Sequence, residues 1–399
     1  MHCCAFWKQS ARNEMLSELT DTTAPRTVLS LLSMNTLNDC KARDAQDPLN
    51  TLRAQFEIPP ELIYLDGNSL GVLPRATPAR VAQVVQQEWG QGLIRSWNAA
   101  GWIDMPQRVG DKIARLIGAK PGEVACADST SVNLFKVLSA SISIAAYADN
   151  TPATGQKGLK KIVLSERSNF PTDLYIAHSL CAQHGLMLKL VGATEIESAL
   201  NDDVAVLMLT HVHYRTGAMH DMAHLSARAH AVGALAVWDL AHSAGAVPVD
   251  LHAAGADMAV GCGYKYLNGG PGAPAFVWVH PRHVNAVQQP LSGWMGHAAP
   301  FVFTPDYTPA NGITRFLCGT PSVIGMAALE CGVDTVLATE PHGGMAALRA
   351  KSLALTDLFM ELVEQRCAGF GLHLVTPTRH ALRGSQVSFA HAEHGYAVM

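Results

Sequence analysis

Short apolar runs separated by stretches of helical periodicity dominate the middle of this chain, and that alternation leaves few architectures open. Residues 124–127, 162–164, 204–209, 235–238, 258–260 and 275–279 have the length and branched or aromatic content of buried strands. Helical spacing fills the gaps over residues 132–146, after Asp173, and over 223–232. Strands joined through helices pair in parallel, so the expectation is an α/β fold whose sheet is mostly parallel and of the seven-stranded type, in a large α/β/α domain. The run 275–279 returns quickly after a glycine-rich turn, which allows an antiparallel strand. Upstream, residues 81–89 and 108–117 read as helices, and Pro121-Gly122 breaks the chain before the first strand. Downstream, a helix is expected around 353–366.

At 399 residues and 48% hydrophobic content the chain can bury a core larger than one lobe needs. The expected division is a leader over 1–33 (a tail or a mis-called start, since Met34 offers a second one), a segment over 34–70 packing with a small domain, a large domain over 71–314, and a small α+β domain over 315–399. A net charge of -4 without blocks of like sign gives no reason to expect nucleic acid or a membrane surface as partner. No apolar run reaches the ~18 residues of a membrane span, and the start lacks the layout of a secretory signal, so a cytoplasmic protein is expected. Nine scattered cysteines without a CxxC pair suggest neither disulfides nor zinc.

In open parallel sheets ligands bind beyond the carboxyl ends of the strands. Here strand 235–238 runs into Asp239 and His242, strand 258–260 into Tyr264 and Lys265, strand 204–209 into Thr210, His211 and His213, and strand 162–164 toward Asn169 and Phe170. A lysine able to form an imine, a carboxylate to keep a ring nitrogen protonated, an aromatic face and a helix start rich in hydroxyls are what pyridoxal phosphate requires. Lys265 would carry the Schiff base, Asp239 would pair with the ring nitrogen, and Phe170 would stack on the ring. The phosphate would sit at the helix opened by Asp128-Ser129-Thr130-Ser131, with Tyr264 and His242 as further donors.

Five segments together resemble the kynureninase family of fold-type-I pyridoxal-phosphate enzymes. They are Tyr64-Leu65-Asp66-Gly67-Asn68-Ser69-Leu70-Gly71, Asn169-Phe170-Pro171-Thr172-Asp173, the eight residues from Trp238 to Gly245, the nine from Tyr264 to Gly272, and Gly293-Trp294-Met295-Gly296-His297. The resemblance implies hydrolysis of L-kynurenine or its 3-hydroxy form to an anthranilate and L-alanine, in tryptophan catabolism and NAD biosynthesis. It places cofactor contacts at Thr130, Ser131, Phe170, Pro171, Thr172, Asp173, Thr210, Asp239, His242, Tyr264 and Lys265, with Lys265 as base and Tyr264 as proton donor. It adds Trp294 and Thr320, supplied across a homodimer with shared sites, and suggests Asn68, Ser69 and Trp97 for substrate. The sequence stops at Met399, earlier than the resemblance leads one to expect, so no counterpart is expected here for the arginine that the resemblance implies would grip the substrate carboxylate.

Other readings stay in view. A cysteine desulfurase or related class-V enzyme would share the Asp-then-Lys order, and a truncated relative would bind the cofactor without turnover. His211 with His213, and His220 with His224, lack a third ligand at suitable spacing, so no metal is expected. Gly269-Gly270-Pro271-Gly272 reads as a turn rather than a phosphate loop.

Overall fold

The computed structural model describes residues 35–148, 160–287, 289–393 and 395, so the expected leader and the last residues lie outside the described part. Among these, residues 35–46 belong to one compact unit and Asp47 onward to another. In the first, helix α1 (Leu37–Gln46) is opened by Thr36 and Asp39. The Thr36 amide donates to Asp39 Oδ2 at 2.8 Å, and the Asp39 amide donates back to Thr36 Oγ1 at 3.2 Å.

The second unit is built on a seven-stranded sheet. In chain order its strands are β1 (Val124–Ala127), β2 (Ile162–Glu166), β3 (Met187–Val191), β4 (Val204–Thr210), β5 (Leu235–Asp239), β6 (Met258–Gly261) and β7 (Ala275–Val279). They lie in the order β1-β7-β6-β5-β4-β2-β3, with β7 antiparallel to both neighbours and every other pair parallel. The expected α/β architecture is therefore present, with one reversed strand where the glycine-rich turn made room for it. Strand β3 was not expected. It sits at the sheet edge and only Val191 is fully buried, so its apolar signal is weak.

Both faces of the sheet are covered, which is why the central strands read as continuous apolar runs. Alternate residues face opposite ways: Leu164, Leu207, Leu209, Trp238 and Phe276 enter one core, while Val163, Val206, Met208, Val237 and Val277 enter the other. Helices α2 (Ala76–Gln83), α3 (Met105–Ala114), α4 (Thr130–Ala148), α5 (Pro171–His184) and α6 (Met222–Ala231) flank it, followed by α7 (Val323–Leu337) and α8 (Gly344–Arg366). Val109 and Ile113 of α3 share a core with Met326, Leu329 and Val333 of α7, whereas Leu134 and Leu138 of α4 join Ala177 and Leu180 of α5 in the other. Gly332 lets α7 approach the loop after β6 closely: a Cβ there would lie 2.2 Å from the Leu267 carbonyl oxygen. A short antiparallel pair, Leu372–Leu374 with Phe389–His391, follows α8. Among the described residues no helix is long and apolar enough to cross a membrane.

Candidate active site

Five strands pointing the same way deliver side chains to one edge of the sheet. Strand β4 ends on Thr210 and β5 on Asp239, which are register partners. β6 leads to Cys262, Tyr264 and Lys265, β2 leads to Asn169 and Phe170, and β1 leads to the start of α4. They meet around a cavity of about 200 Å³ lined by Ser129, Thr130, Ser131, Phe170, Asp173, Thr210, Tyr214, Asp239, His242, Tyr264 and Lys265, among others.

Local geometry explains each placement. Phe170 is extended and Pro171 opens α5, its missing N–H costing nothing in the first turn. This puts Asp173 in that turn, buried against the sheet, while Pro171 and Thr172 shape the entry. The helix was expected to begin after Asp173, but the proline starts it earlier. Asn169 Oδ1 accepts from the Phe170 amide at 2.7 Å and from the Thr210 hydroxyl, tying the loop after β2 to the end of β4. Phe170 stands edge-on to Tyr214, with ring centroids 5.3 Å apart. Asp128 adopts a left-handed backbone, φ 49°, held by the buried Lys136 at 2.5 Å. The Ser129 hydroxyl then caps the Val132 amide at 3.3 Å, leaving the first amides of α4 without intrahelical acceptors, a setting that suits an anion. Gly71 packs on the Lys265 loop. Its amide donates to the Tyr264 carbonyl at 2.8 Å, and a Cβ would fall 2.3 Å from the Lys265 carbonyl oxygen.

The electrostatics are unusual for a buried site. Burial and the Asp239 carboxylate beside it push the Asp173 carboxyl well above the usual carboxylate range. Burial also raises Asp239, against the pull of Lys265 and of the Ala241 amide, which donates to Asp239 Oδ1 at 2.8 Å. Asp173 Oδ2 is buried without a hydrogen-bond partner among the described residues. Lys265 Nζ lies 2.9 Å from His242 Nε2 and 5.5 Å from the centre of the Tyr264 ring. Burial first, and then the Lys265 charge, holds His242 down to about 3, so its imidazole is neutral. Burial raises the Tyr264 phenol, and it pushes the Cys262 thiol up to about 11.

Other expected residues fall nearby rather than inside. Thr320 and Ser69 line an adjoining cavity of about 690 Å³ that shares Ser129, Thr130, Cys262 and Tyr264 with the first. Ser69 donates to Asp66 at 2.8 Å, and Asn68 is half-buried in the same turn. Trp294 packs against Trp97, centroids 5.5 Å apart, and against Phe301 at 5.9 Å, in surface cavities separate from that of Lys265. His213 and His220 gather on Glu166, whose carboxylate takes His220 Nε2 at 2.9 Å. Tyr214 and Gln386 were not anticipated. Tyr214 looks like loop in sequence, and Gln386 reaches His242 from 144 residues away, beyond any local pattern.

The aminotransferase class-V family profile matches residues 112–396. Kynureninase of Pseudomonas fluorescens is 58% identical over 369 residues, covering 92% of this chain and 86% of that protein. Kynureninase of Burkholderia pseudomallei is 55% identical over the same coverage. Among solved structures, apo cysteine desulfurase from Thermococcus onnurineus superposes with TM-score 0.68 at 19% identity, covering 92% of this chain and 85% of that one. A C-DES mutant with glycine covalently linked to its pyridoxal-phosphate cofactor gives 0.71 at 15% identity, covering 87% and 88%. At that identity the two structures speak for the fold alone. The kynureninases match along most of the chain, and this chain belongs to the aminotransferase class-V family and, within it, to the kynureninases.

Proposed function

We propose that the chain hydrolyses the Cβ–Cγ bond of L-kynurenine, or of its 3-hydroxy form, to an anthranilate and L-alanine, with pyridoxal phosphate held on Lys265. One observation carries the reading: Lys265, Asp239 and the partnerless Asp173 oxygen meet in a buried cavity of a chain 58% identical to a kynureninase. The residues fit that cofactor. Two buried carboxyls with raised pKa and an orphaned oxygen call for a cationic N–H, which a protonated pyridine ring offers. The hydroxyls and amides of Thr130 and Ser131 suit a phosphate.

When bound, pyridoxal phosphate supplies an electron sink for charge developing at the substrate α-carbon. In this reading Phe170 would cover the ring face, Pro171 and Thr172 set the turn that aims Phe170 and Asp173, and Thr210 would hydrogen-bond at the base of the site. Asp239, with Asp173 beside it, would hold the ring nitrogen in its protonated form. The Lys265 amine takes the α-proton of the substrate. Water adds to the γ-carbonyl of the substrate before the Cβ–Cγ bond breaks, and Tyr264, whose raised pKa keeps the phenol protonated, returns a proton to the β-carbon. Asn68, Ser69 and Trp97 belong to the substrate side. Homodimerisation is part of the reading: Trp294 lies with Trp97 on a surface where Phe303 is 78% and Ile94 77% exposed, apart from its own subunit's lysine cavity. A desulfurase needs a thiolate at the substrate, and the cavity's own thiol, Cys262, is held protonated.

Incubation of the purified protein with pyridoxal phosphate and L-kynurenine, followed by anthranilate fluorescence, tests the assignment. Equal amounts of anthranilate and alanine are expected, and none from Lys265→Ala. Cofactor absorbance without anthranilate from the native chain would overturn it.

A further inference from the structure

His242 meets Lys265 with one ring nitrogen, and what the other nitrogen meets decides what the lysine can do. Gln386 is buried between α8 and the strand Phe389–His391, in a segment pinned from two sides. Arg349 Nη1 donates to the Gly384 carbonyl at 2.8 Å, and the Ser385 hydroxyl donates to the Ala246 carbonyl at 2.7 Å. Gly217, with φ +70°, packs on Gln386 so closely that a Cβ would lie 3.0 Å from its Cγ.

The orientation of the Gln386 amide follows from its partners. Nε2 lies 2.7 Å from the Tyr214 carbonyl oxygen, an atom that can only accept. Oε1 is therefore the atom 3.0 Å from His242 Nδ1, and it can only accept in turn. His242 Nδ1 must carry the proton, which leaves the Nε2 lone pair facing Lys265 Nζ at 2.9 Å. The charged or titratable groups around the ring are Lys265 and, more distantly, His213, and both disfavour a second proton on it.

We propose that Gln386 is a positioning residue that locks His242 in the Nδ1–H tautomer, so that His242 accepts an N–H from the Lys265 amine and leaves the amine lone pair free to act as base. The alternative Nε2–H tautomer would donate into that lone pair and occupy the base. The proposal rests on Lys265 being the cofactor lysine and base. It links a residue of the C-terminal segment to the reacting nitrogen through two hydrogen bonds.

Histidine-selective 15N NMR on the cofactor-free protein reads the tautomer directly, with the His242 signal assigned by its loss in His242→Phe. The expected spectrum has Nδ1 protonated and Nε2 bare. In Gln386→Leu the Nε2–H form should appear, and in the reconstituted variant kcat should fall roughly ten- to a hundredfold, the scale found when the group orienting a metal-bound imidazole is removed. KM should stay within about threefold and the cofactor absorbance should persist, because neither depends on which nitrogen of His242 holds the proton. Gln386→Glu keeps an acceptor at Nδ1 but favours the doubly protonated ring. It should move the acid limb of the kcat profile to higher pH, and it decides the matter if the leucine variant does not fold. A native spectrum with Nε2 protonated, or Gln386→Leu with native tautomer and native kcat, overturns the proposal. If the native protein binds cofactor elsewhere than Lys265, the functional assignment fails instead, and the tautomer result shows which of the two has gone.

Discussion

Two buried carboxylate sites lie at opposite ends of the same sheet, and they have opposite chemistry. Asp257, just before β6, receives the Ala236 amide at 2.8 Å, His230 at 2.7 Å, His283 at 2.7 Å and the Arg282 guanidinium. Burial works to raise its pKa, but those donors win and hold the carboxyl far below the usual range. Asp173 and Asp239, at the other end, are as deeply buried yet lie beside each other near a single lysine, with one Asp173 oxygen unmet among the described residues, and both are raised. Burial alone therefore does not set the charge state; the supply of donors does. The Asp257 end is complete and serves the fold, while the Asp239 end is complete only with a cationic ligand.

Substitutions at the two ends should separate accordingly. Asp239→Asn is expected to lower kcat/KM at least about a hundredfold, the scale for removing one preorganised electrostatic contact, with the folded state intact by circular dichroism. Asp257→Ala should do the reverse. Leaving three cationic or donor side chains unmatched costs about 3–5 kcal/mol of unfolding free energy, read from denaturant titration, with kcat per folded molecule unchanged. Equal loss of activity from both would erase the distinction. Asp173→Asn should sharpen it: the cofactor-free protein gains thermal stability, because a repelling buried carboxyl is gone, while cofactor affinity falls roughly tenfold, the worth of a hydrogen bond to a charged group. Titrating the native protein and this variant by calorimetry would test both signs.

The pH dependence is the smallest effect, and it has a definite sign at each end. Asp257, depressed in the fold, contributes stability that is full above its unfolded value of about 4 and is lost as pH falls toward its folded value. Asp173, raised in the fold, contributes stability below about 4 that is lost as pH climbs through its folded value, so the gain from Asp173→Asn should grow with pH. His211 and His242, held down to about 4 and about 3 chiefly by burial, stay neutral in the fold while the unfolded chain takes protons. Their contribution is lost as pH falls below about 6.5. The Tm of His211→Phe relative to the native protein should therefore rise as pH falls below about 6.5, and a difference that fell or stayed flat would contradict this.

The sheet and the residues at its strand ends were legible because the signal is local. A run such as Val204–Thr210 is buried throughout, and the polar residue that ends it is by geometry at the ligand edge. The edge strand β3, half-exposed, carries no such run, and the helix continuing through residues 84–92 with wider turns has no separate signature. What could not be read were contacts set by closure of the chain. The Asp257 cluster joins residues 25–27 apart through two helices and a strand, and Gln386 meets His242 from 144 residues away. Side chains that orient other side chains follow no periodicity of their own, so they emerge only once the fold is in hand.

The account turns on Lys265 being the amine that holds the cofactor. Borohydride reduction of the native holoenzyme, digestion and peptide mass mapping test this directly. A single phosphopyridoxyl adduct on the peptide carrying Lys265 is the expected result, and an adduct on any other lysine, with Lys265 unmodified, would contradict it.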